Sequence, residues 1–150
     1  MPQSLSQIYI HLVFGTKIHE PLLENSVRDE LHRYAATILH NLESPAITIG
    51  SVSNHVHILF SLSRNYPVRK IVEEVKKSSS KWLKTKDGIS ANFQWQNGYG
   101  VFSVSQSGLH DVIDYIEKQH DHHRHVSFQE GYRKFLQKYN IEFDERYVWD

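Results

Sequence analysis

Four short segments of the chain are predicted to be strands, and the first of them alternates in the pattern of a strand with one buried face. The first runs over residues 7–16, with one side made of Ile8, Ile10, Leu12 and Phe14 and the other of Tyr9, His11 and Val13. The remaining three cover residues 46–52, 55–62 and 101–104. A short turn at residues 53–54 joins the second and third strands.

Between and after these strands, apolar residues recur every three to four positions, the period of a helix that buries one face. Such helices are predicted over residues 25–42 and 67–86, and from residue 107 onward. Asn25 or Ser26 is expected to cap the first and Ser107 the third. Ser127 and Glu130 have the spacing of a capping box, which predicts a short last helix.

The order β-α-β-β-α-β, followed by extra helices, predicts an α+β fold: the ferredoxin-like split β-α-β sandwich. Its helices cover one face of an antiparallel sheet, the first and third strands are central, and a further C-terminal helix follows. We expect residues 1–150 to form a single domain, because this length suits one domain and no linker or repeat interrupts it.

Composition narrows the class of protein. With 39% apolar and 23% charged residues, disorder is not expected. No run of 18 apolar residues predicts a membrane span, and no secretory leader is visible at residues 1–6. The absence of cysteine excludes disulfides and thiolate metal sites. These features together predict a cytoplasmic protein.

Charge is balanced overall, at 17 basic and 17 acidic residues, but unevenly distributed. Residues 64–86 contain eight Lys or Arg against two Glu, a local excess of six positive charges. Such a segment suits an anionic polymer, although a solvated helix face would look the same. The candidate DNA-binding residues are Arg69, Lys70, Lys76, Lys77, Lys81 and Lys84, with Tyr99 as a ring on which a base could stack.

The first candidate for a metal-binding site is His55-Val56-His57, at the start of the third strand. Strand side chains alternate, so His55 and His57 share one face while Val56 points to the other. The helices require the apolar face, so we expect the histidines on the open face of the sheet. Two imidazoles about 6–7 Å apart at Cα can converge on one cation. Two solvated histidines with no ligand are the simpler alternative.

Tyr115 and Gln119 form a second candidate pair, on the helix after residue 107. Tyr115 lies roughly 120° from the centre of that helix's apolar face, and Gln119 roughly 80° on the same side. One helical turn separates them, so both can address one point in space. The alternative is a partly exposed tyrosine packed on a neighbouring element.

Chemistry links the two pairs. A tyrosine hydroxyl is a weak nucleophile at neutral pH, and a divalent cation compensates by withdrawing charge from a phosphoryl oxygen. His55, His57 and an amide oxygen of Gln119 would make a three-ligand site with positions left for phosphate and water. Such ligands favour Mg²⁺ or Mn²⁺ over structural zinc.

The segment Asn54-His55-Val56-His57 resembles the His-hydrophobe-His (HUH) motif of the single-tyrosine transposases of small insertion sequences and of their repeat-associated relatives. Further segments resemble that family in order along nearly the whole chain. They are residues 11–17 in the first strand, the basic residues 76–83, the Trp-Gln…Gly-Tyr-Gly-x-Phe-Ser-Val-Ser stretch at 95–105, and Tyr-Ile-Glu-x-Gln at 115–119.

The resemblance implies a single-strand DNA transposase. Tyr115 would form a 5′-phosphotyrosine bond, and His55, His57 and Gln119 would hold the metal. It also implies a homodimer, in which the tyrosine helix of one subunit can complete the other's site, and recognition of hairpins at element ends. Relatives often have Asp before the first histidine, where this chain has Asn54, so metal affinity could be lower.

Three alternatives remain open at this stage. One is a domesticated, non-catalytic nucleic-acid-binding protein with the same fold. Another concerns the histidine-rich stretch at 120–125, which is either a second metal site or a solvated helix end. The third concerns Trp82 and Phe102, for which core packing is favoured over base stacking.

Overall fold

A computed structural model of the protein describes residues 2–89, 91–119, 127–138 and 140–150. Four strands form one sheet in the order β2-β3-β1-β4: β1 (Tyr9–Gly15), β2 (Ala46–Val52), β3 (His55–Ser61) and β4 (Gly100–Val104). The described helices are α1 (Asn25–Asn41), α2 (Val68–Leu83), α3 (Leu109–Glu117) and α4 (Phe128–Lys138). All strand pairs are antiparallel, which confirms the predicted ferredoxin-like arrangement.

The central position of β1 follows from its two pairings. It lies antiparallel to β3, with Val13 opposite His57, and antiparallel to β4, with Val13 also opposite Gly100. Six of its seven residues are buried and Tyr9 is half-buried, since helices cover the sheet on each side. Because register fixes which residues share a face, this pairing puts His11 of β1 on the same face as His55 and His57.

One face of the sheet carries the main core, with α1 and α2 packed against it. From the strands it takes alternate apolar residues, which are Ile10, Leu12, Phe14, Val56, Ile58 and Phe60. Facing residues from the helices include Val27, Leu31, Leu39, Ile71, Val72 and Val75. This layer follows the helical and strand periods of the sequence, except that Ile8, predicted on the same face as Ile10, is 47% exposed.

The opposite face, which carries the histidines, is covered too. The expectation that it would be open was wrong, because α3 and α4 pack on it. Ile116 of α3 joins a cluster with Leu59 and Val104, whereas Phe128 and Tyr132 of α4 join one with Val13. The described elements therefore form three layers, with two of the described helices on each side of the sheet.

Helix starts differ in detail from the sequence expectations. The cap residue of α1 is Glu24, with no side-chain cap hydrogen bond, rather than Asn25 or Ser26. Before α3, the Gln106–Gly108 turn is capped by Ser105, whose Oγ accepts from Gly108 N at 3.1 Å, instead of by Ser107. The predicted capping residue of α4 is confirmed, because Ser127 Oγ accepts from Glu130 N at 3.2 Å. None of the described helices is long and apolar enough to cross a bilayer.

Candidate active site

Three histidines cluster where β1 and β3 pair. His55 is 0% exposed and His57 2%, and their ring centres are 5.1 Å apart with planes at 74°. The ring of His11 lies on the other side of His57, also at 5.1 Å between centres. The predicted shared face for His55 and His57 is confirmed, but both side chains are buried rather than solvated.

His11 is the residue of this cluster to which sequence reasoning assigned no role. Its Nε2 lies 2.9 Å from Nδ1 of His57, a hydrogen bond between two buried rings. Burial lowers the pKa of His11 to about 4, so its imidazole is neutral at physiological pH. The sequence did contain a sign of this contact. His11 points away from the apolar face that includes Leu12, and the first and third strands of this fold are neighbours, so His11 and His57 share a face.

His55 has two different kinds of neighbour. Its Nδ1 lies 2.8 Å from Oδ1 of Asn54, the residue immediately before it. Its ring stacks on that of Phe128 in α4, with 4.2 Å between centres and 16° between planes. Asn54 thus contacts the first histidine of the pair directly, and α4 forms one wall of the site.

Tyr115 lies beside these histidines, as its off-face position on the helix suggested. Its half-buried ring is edge-on to His57, with 5.6 Å between centres, and 6.3 Å from that of His11. Burial raises the pKa of the Tyr115 phenol, and a hydrogen bond from the side chain of Gln119 partly offsets that shift. The candidate nucleophile Tyr115 therefore lies next to His57 of the same chain.

A glycine on β2 sets how close the tyrosine helix comes. Gly50 pairs with His57 across β2 and β3, and a Cβ placed on it would overlap the carbonyl oxygen of Ile116 and lie 2.9 Å from its Cγ2. Only a residue without a side chain fits there. Gly50 thus allows α3 to lie directly on the sheet, which brings Tyr115 to the level of His57.

Gln119 is buried, just beyond the end of α3 at Glu117. Its Nε2 donates to the carbonyl oxygen of Tyr115 at 3.0 Å. The helix does not continue unbroken through Gln119 as the one-turn spacing assumed, because Lys118 already departs from helical geometry (φ −101°, ψ 16°). The amide nevertheless stays with the tyrosine, through one hydrogen bond to its backbone and one to its side chain.

The donor chemistry fits a divalent cation held by His55, His57 and Gln119. Two imidazoles on one ion hold their ring centres about 5 Å apart, and the observed separation is 5.1 Å. Among the described residues, no group of three or more His, Cys, Asp or Glu side chains could hold a metal, and the amide of Gln119 is the described group that would complete the set. The histidine-rich stretch at 120–125, the suggested second metal site, lies outside the described residues.

Lys76 differs from the other candidate DNA-binding residues. Its ammonium donates hydrogen bonds to three successive carbonyl oxygens, those of Gln96, Asn97 and Gly98. Burial lowers the pKa of Lys76 to about 8, which still leaves it charged at neutral pH. Because Gln96 Oε1 in turn accepts from Gly15 N at 2.6 Å, Lys76 fixes a loop against the end of β1.

The remaining basic candidates lie on the surface of α2, on the far side of the sheet from Tyr115. Arg69, Lys70, Lys77, Lys81 and Lys84 are all exposed. Lys70 pairs with Glu74 at 3.1 Å. Lys77, Lys81 and Lys84 follow one another at intervals of four and three residues, so they form one stripe along the helix.

Among the aromatic residues considered for base stacking, Tyr99 is 37% exposed. Phe102 is buried, which confirms the prediction that it packs in the core. Trp95 is also buried, in the main core. Trp82 packs against the same core and stacks on Tyr34 of α1 at 5.1 Å between ring centres. Tyr99 thus has the accessible ring that base stacking requires, whereas Trp95 and Phe102 do not.

Comparison with known proteins identifies the family. The family described as "Transposase IS200 like" matches residues 4–119. The ISDra2 transposase TnpA of Deinococcus radiodurans is 25% identical over 120 residues, which cover 77% of this chain and 86% of that protein.

Two solved structures share the fold. One is a Deinococcus radiodurans protein described as a transposase, with a TM-score of 0.59, 21% identity and coverage of 79% of this chain and 98% of that chain. The other is a REP-associated tyrosine transposase bound to a REP hairpin, with a TM-score of 0.61, 13% identity and coverage of 82% and 72%. The family match spans the described sheet, the histidine pair and Tyr115, and the chain belongs to the IS200-like transposase family.

Proposed function

We propose that this transposase cleaves and rejoins single-stranded DNA, with Tyr115 as the nucleophile. The observation that carries the proposal is the position of the Tyr115 ring, edge-on to His57 at 5.6 Å inside a cluster of buried histidines. Gly50 supports this position, because it allows the helix that carries Tyr115 to lie directly on the sheet.

The reaction balances with DNA alone as substrate. The phenolic oxygen of Tyr115 attacks the scissile phosphorus and loses its proton. The bond from phosphorus to the 3′ oxygen breaks, and that oxygen gains a proton to become a 3′-OH. The segment on the 3′ side of the break stays linked to Tyr115 through its 5′-phosphate until a 3′-OH attacks the phosphotyrosine, which reverses these bond changes and rejoins DNA.

His55, His57 and Gln119 would hold Mg²⁺ or Mn²⁺, which when bound withdraws charge from the scissile phosphate. Buried side chains keep bulk water from the phosphotyrosine bond. Gln119 would also activate the nucleophile, because its hydrogen bond favours the ionised form of the Tyr115 phenol. Without that contact, burial alone would make Tyr115 a poorer nucleophile.

The proposed substrate is an unpaired strand next to a hairpin. One solved structure of the same fold holds a REP hairpin, and the exposed lysine stripe on α2 provides charges for a hairpin stem. We further propose that the protein is a homodimer. Because Tyr115 lies against His57 of its own chain, each site is assembled in cis in this proposal.

The test of the proposal is covalent capture. Wild-type protein, incubated with Mn²⁺ and a hairpin-bearing single strand labelled on the 3′ side of the break, should retain the label after denaturation in SDS. Tyr115→Phe should lose the adduct and keep hairpin binding, while Tyr99→Phe, the matched change at an exposed tyrosine, should keep both. An adduct that survives Tyr115→Phe, or that forms equally in EDTA, would refute the mechanism.

Mixing His57→Ala with Tyr115→Phe subunits distinguishes cis from trans sites. Cis sites predict no adduct at any ratio, with subunit exchange verified by differently tagged chains. Recovery of an adduct would show that one chain's tyrosine uses the other's histidines.

The burial of both histidines favours a second candidate function, a DNA-binding protein of this fold that has lost turnover. It predicts hairpin binding with no adduct under any metal condition.

A further inference from the structure

The two candidate metal ligands share a feature that the motif itself does not specify. In each histidine, Nδ1 lies within hydrogen-bond distance of another side chain: Oδ1 of Asn54 for His55 at 2.8 Å, and Nε2 of His11 for His57 at 2.9 Å. Both rings are therefore oriented through the same atom, although the two partners come from different strands and differ in chemistry.

Hydrogen-bond logic limits how these contacts are made. Oδ1 of Asn54 can only accept, so Nδ1 of His55 carries a proton and its metal-binding lone pair is on Nε2. For His57, one of the two facing nitrogens must donate and the other accept. If His11 donated, His57 would carry its proton on Nε2 and could not bind a cation there. If His11 accepts, Nε2 of His57 has the lone pair.

We infer that His11 is a positioning residue: it accepts from Nδ1 of His57 and so holds His57 in the tautomer that coordinates through Nε2, as Asn54 does for His55. The inference rests on the proposed metal site. His11 touches neither DNA nor the ion in this role and acts through His57. Its place at the centre of β1 makes the contact rigid, because hydrogen-bonded strands pair with β1 on both sides.

The two orienting groups have a consequence for charge. A carboxylate in such a position would add a negative charge and make the ligand more basic. Here the acceptors are an amide and an imidazole, and the candidate ligands His55, His57 and Gln119 are neutral as well. The bound ion would keep nearly its full charge of +2 and bind more tightly once an anionic phosphate is present. By linkage, the same ion would tighten DNA binding equally.

The first experiment measures Mn²⁺ affinity by calorimetry on the intact protein, with no DNA. His11→Leu should weaken binding by about 10–100-fold, the usual loss when a ligand's outer hydrogen bond is removed. His11→Gln, which offers an amide oxygen to the same Nδ1, should restore most of it. Asn54→Asp should tighten binding by about tenfold, because it adds a carboxylate beside His55.

Two controls separate orientation from general damage. His32→Leu makes the same change at a partly buried histidine on the other side of the sheet, bonded to Ser51, and should leave Mn²⁺ affinity unchanged. Circular dichroism establishes that each variant is folded. If His11→Leu fails to fold, His11→Gln alone remains decisive through the second readout.

The second readout is the tautomer of His57 in the metal-free protein, from ¹⁵N chemical shifts of its ring. The inference requires the proton on Nδ1 in the wild type and in His11→Gln. A His57 protonated on Nε2, or Mn²⁺ affinity that His11→Leu leaves unaltered, would overturn it. If the wild type binds no Mn²⁺ while His57 has its proton on Nδ1, the metal site of the proposed function fails instead.

Discussion

The two faces of the sheet are built from alternate residues of the same strands, yet they differ in composition. Toward α1 and α2, β3 presents Val56, Ile58 and Phe60, all buried in an apolar core. Toward α3 and α4 it presents His55, His57 and Leu59, equally buried but mostly polar. Along β3, therefore, side chains that stabilise the fold alternate with side chains of the candidate site.

The comparison shows how a small protein can bury a polar site. On the apolar face, burial itself supplies stability. On the histidine face, Nδ1 of His55 and Nδ1 of His57 each have a polar partner, and glycine lets a helix approach where a side chain would keep it away. If the apolar face mainly stabilises the fold and the histidine face mainly forms the site, substitutions on the first should change stability and those on the second should change activity.

The largest effect is expected from Ile58→Ala, on the apolar face. It should lower the free energy of unfolding by about 2–5 kcal/mol, through lost burial and the cavity left behind. His57→Ala, next to it on the other face, should cost about 1–3 kcal/mol, largely by leaving the ring of His11 without this hydrogen bond. Urea denaturation measures both. Equal losses of unfolding free energy in the two variants would contradict this difference between the faces. Loss of the covalent adduct in an Ile58→Ala variant that is still folded would contradict it as well.

Acid should weaken the histidine face selectively. The pKa of His11 is lowered from 6.5 to about 4, so the folded state favours its neutral form. As pH falls from 6.5 towards 4, the unfolded chain binds a proton at this residue that the folded chain does not, and stability drops by about 3 kcal/mol. Above pH 6.5 the contribution is complete.

His11→Gln removes this titration. The difference between wild-type and His11→Gln unfolding free energies, followed from pH 7.5 to 4, isolates the contribution from those of neighbouring groups. A difference that stays constant over this range would show that His11 is protonated without penalty in the fold.

Gly50→Ala tests whether close packing of α3 positions the nucleophile. The new methyl group would collide with the backbone of Ile116, costing about 1–3 kcal/mol and displacing Tyr115 from His57. Adduct formation should fall about 100-fold, the order expected for a displacement near 1 Å. The control is Ile49→Val, one residue earlier and on the apolar face, which should cost about 1 kcal/mol and leave the adduct rate unchanged.

The smallest effects concern the lysine stripe, on the outer side of the apolar layer. Lys77→Gln and Lys81→Gln should each reduce the slope of log affinity against log salt by about 0.9 if they contact a duplex stem. Lys70→Gln is the control, because its ammonium is already paired with Glu74. Fluorescence anisotropy with a labelled hairpin measures the slopes. If they do not change, the hairpin binds elsewhere, on the histidine side included.

Much of this architecture is readable from the sequence, because it depends on local periods. The positions of the four strands to within about two residues, the start of α2 after Pro67 and the shared face of His55 and His57 all follow from local patterns in the sequence. The distance of Tyr115 from the apolar centre of its helix correctly marked it as unusual. Periodicity is a property of neighbouring residues, so it predicts elements and the faces within them.

What the sequence did not predict depends on contacts between distant residues. The hydrogen bond from His11 joins positions 46 residues apart and requires the register of two strands. The covering of the histidine face depends on small residues opposite large ones, as with Gly100, where a Cβ would lie 2.6 Å from Oη of Tyr132. Periodicity within one element carries no information about such pairings.

The wide spacing of the site residues along the chain also has a consequence for synthesis. His11 emerges from the ribosome early, His57 follows 46 residues later, and Tyr115 comes after β4 has been made. Until then β1 lacks its partner on one edge, and the histidine pair has no helix of its own above it. A nascent chain therefore holds the proposed metal ligands before the proposed nucleophile, so the proposed strand cleavage would become possible only when β4 and α3 have folded onto the sheet.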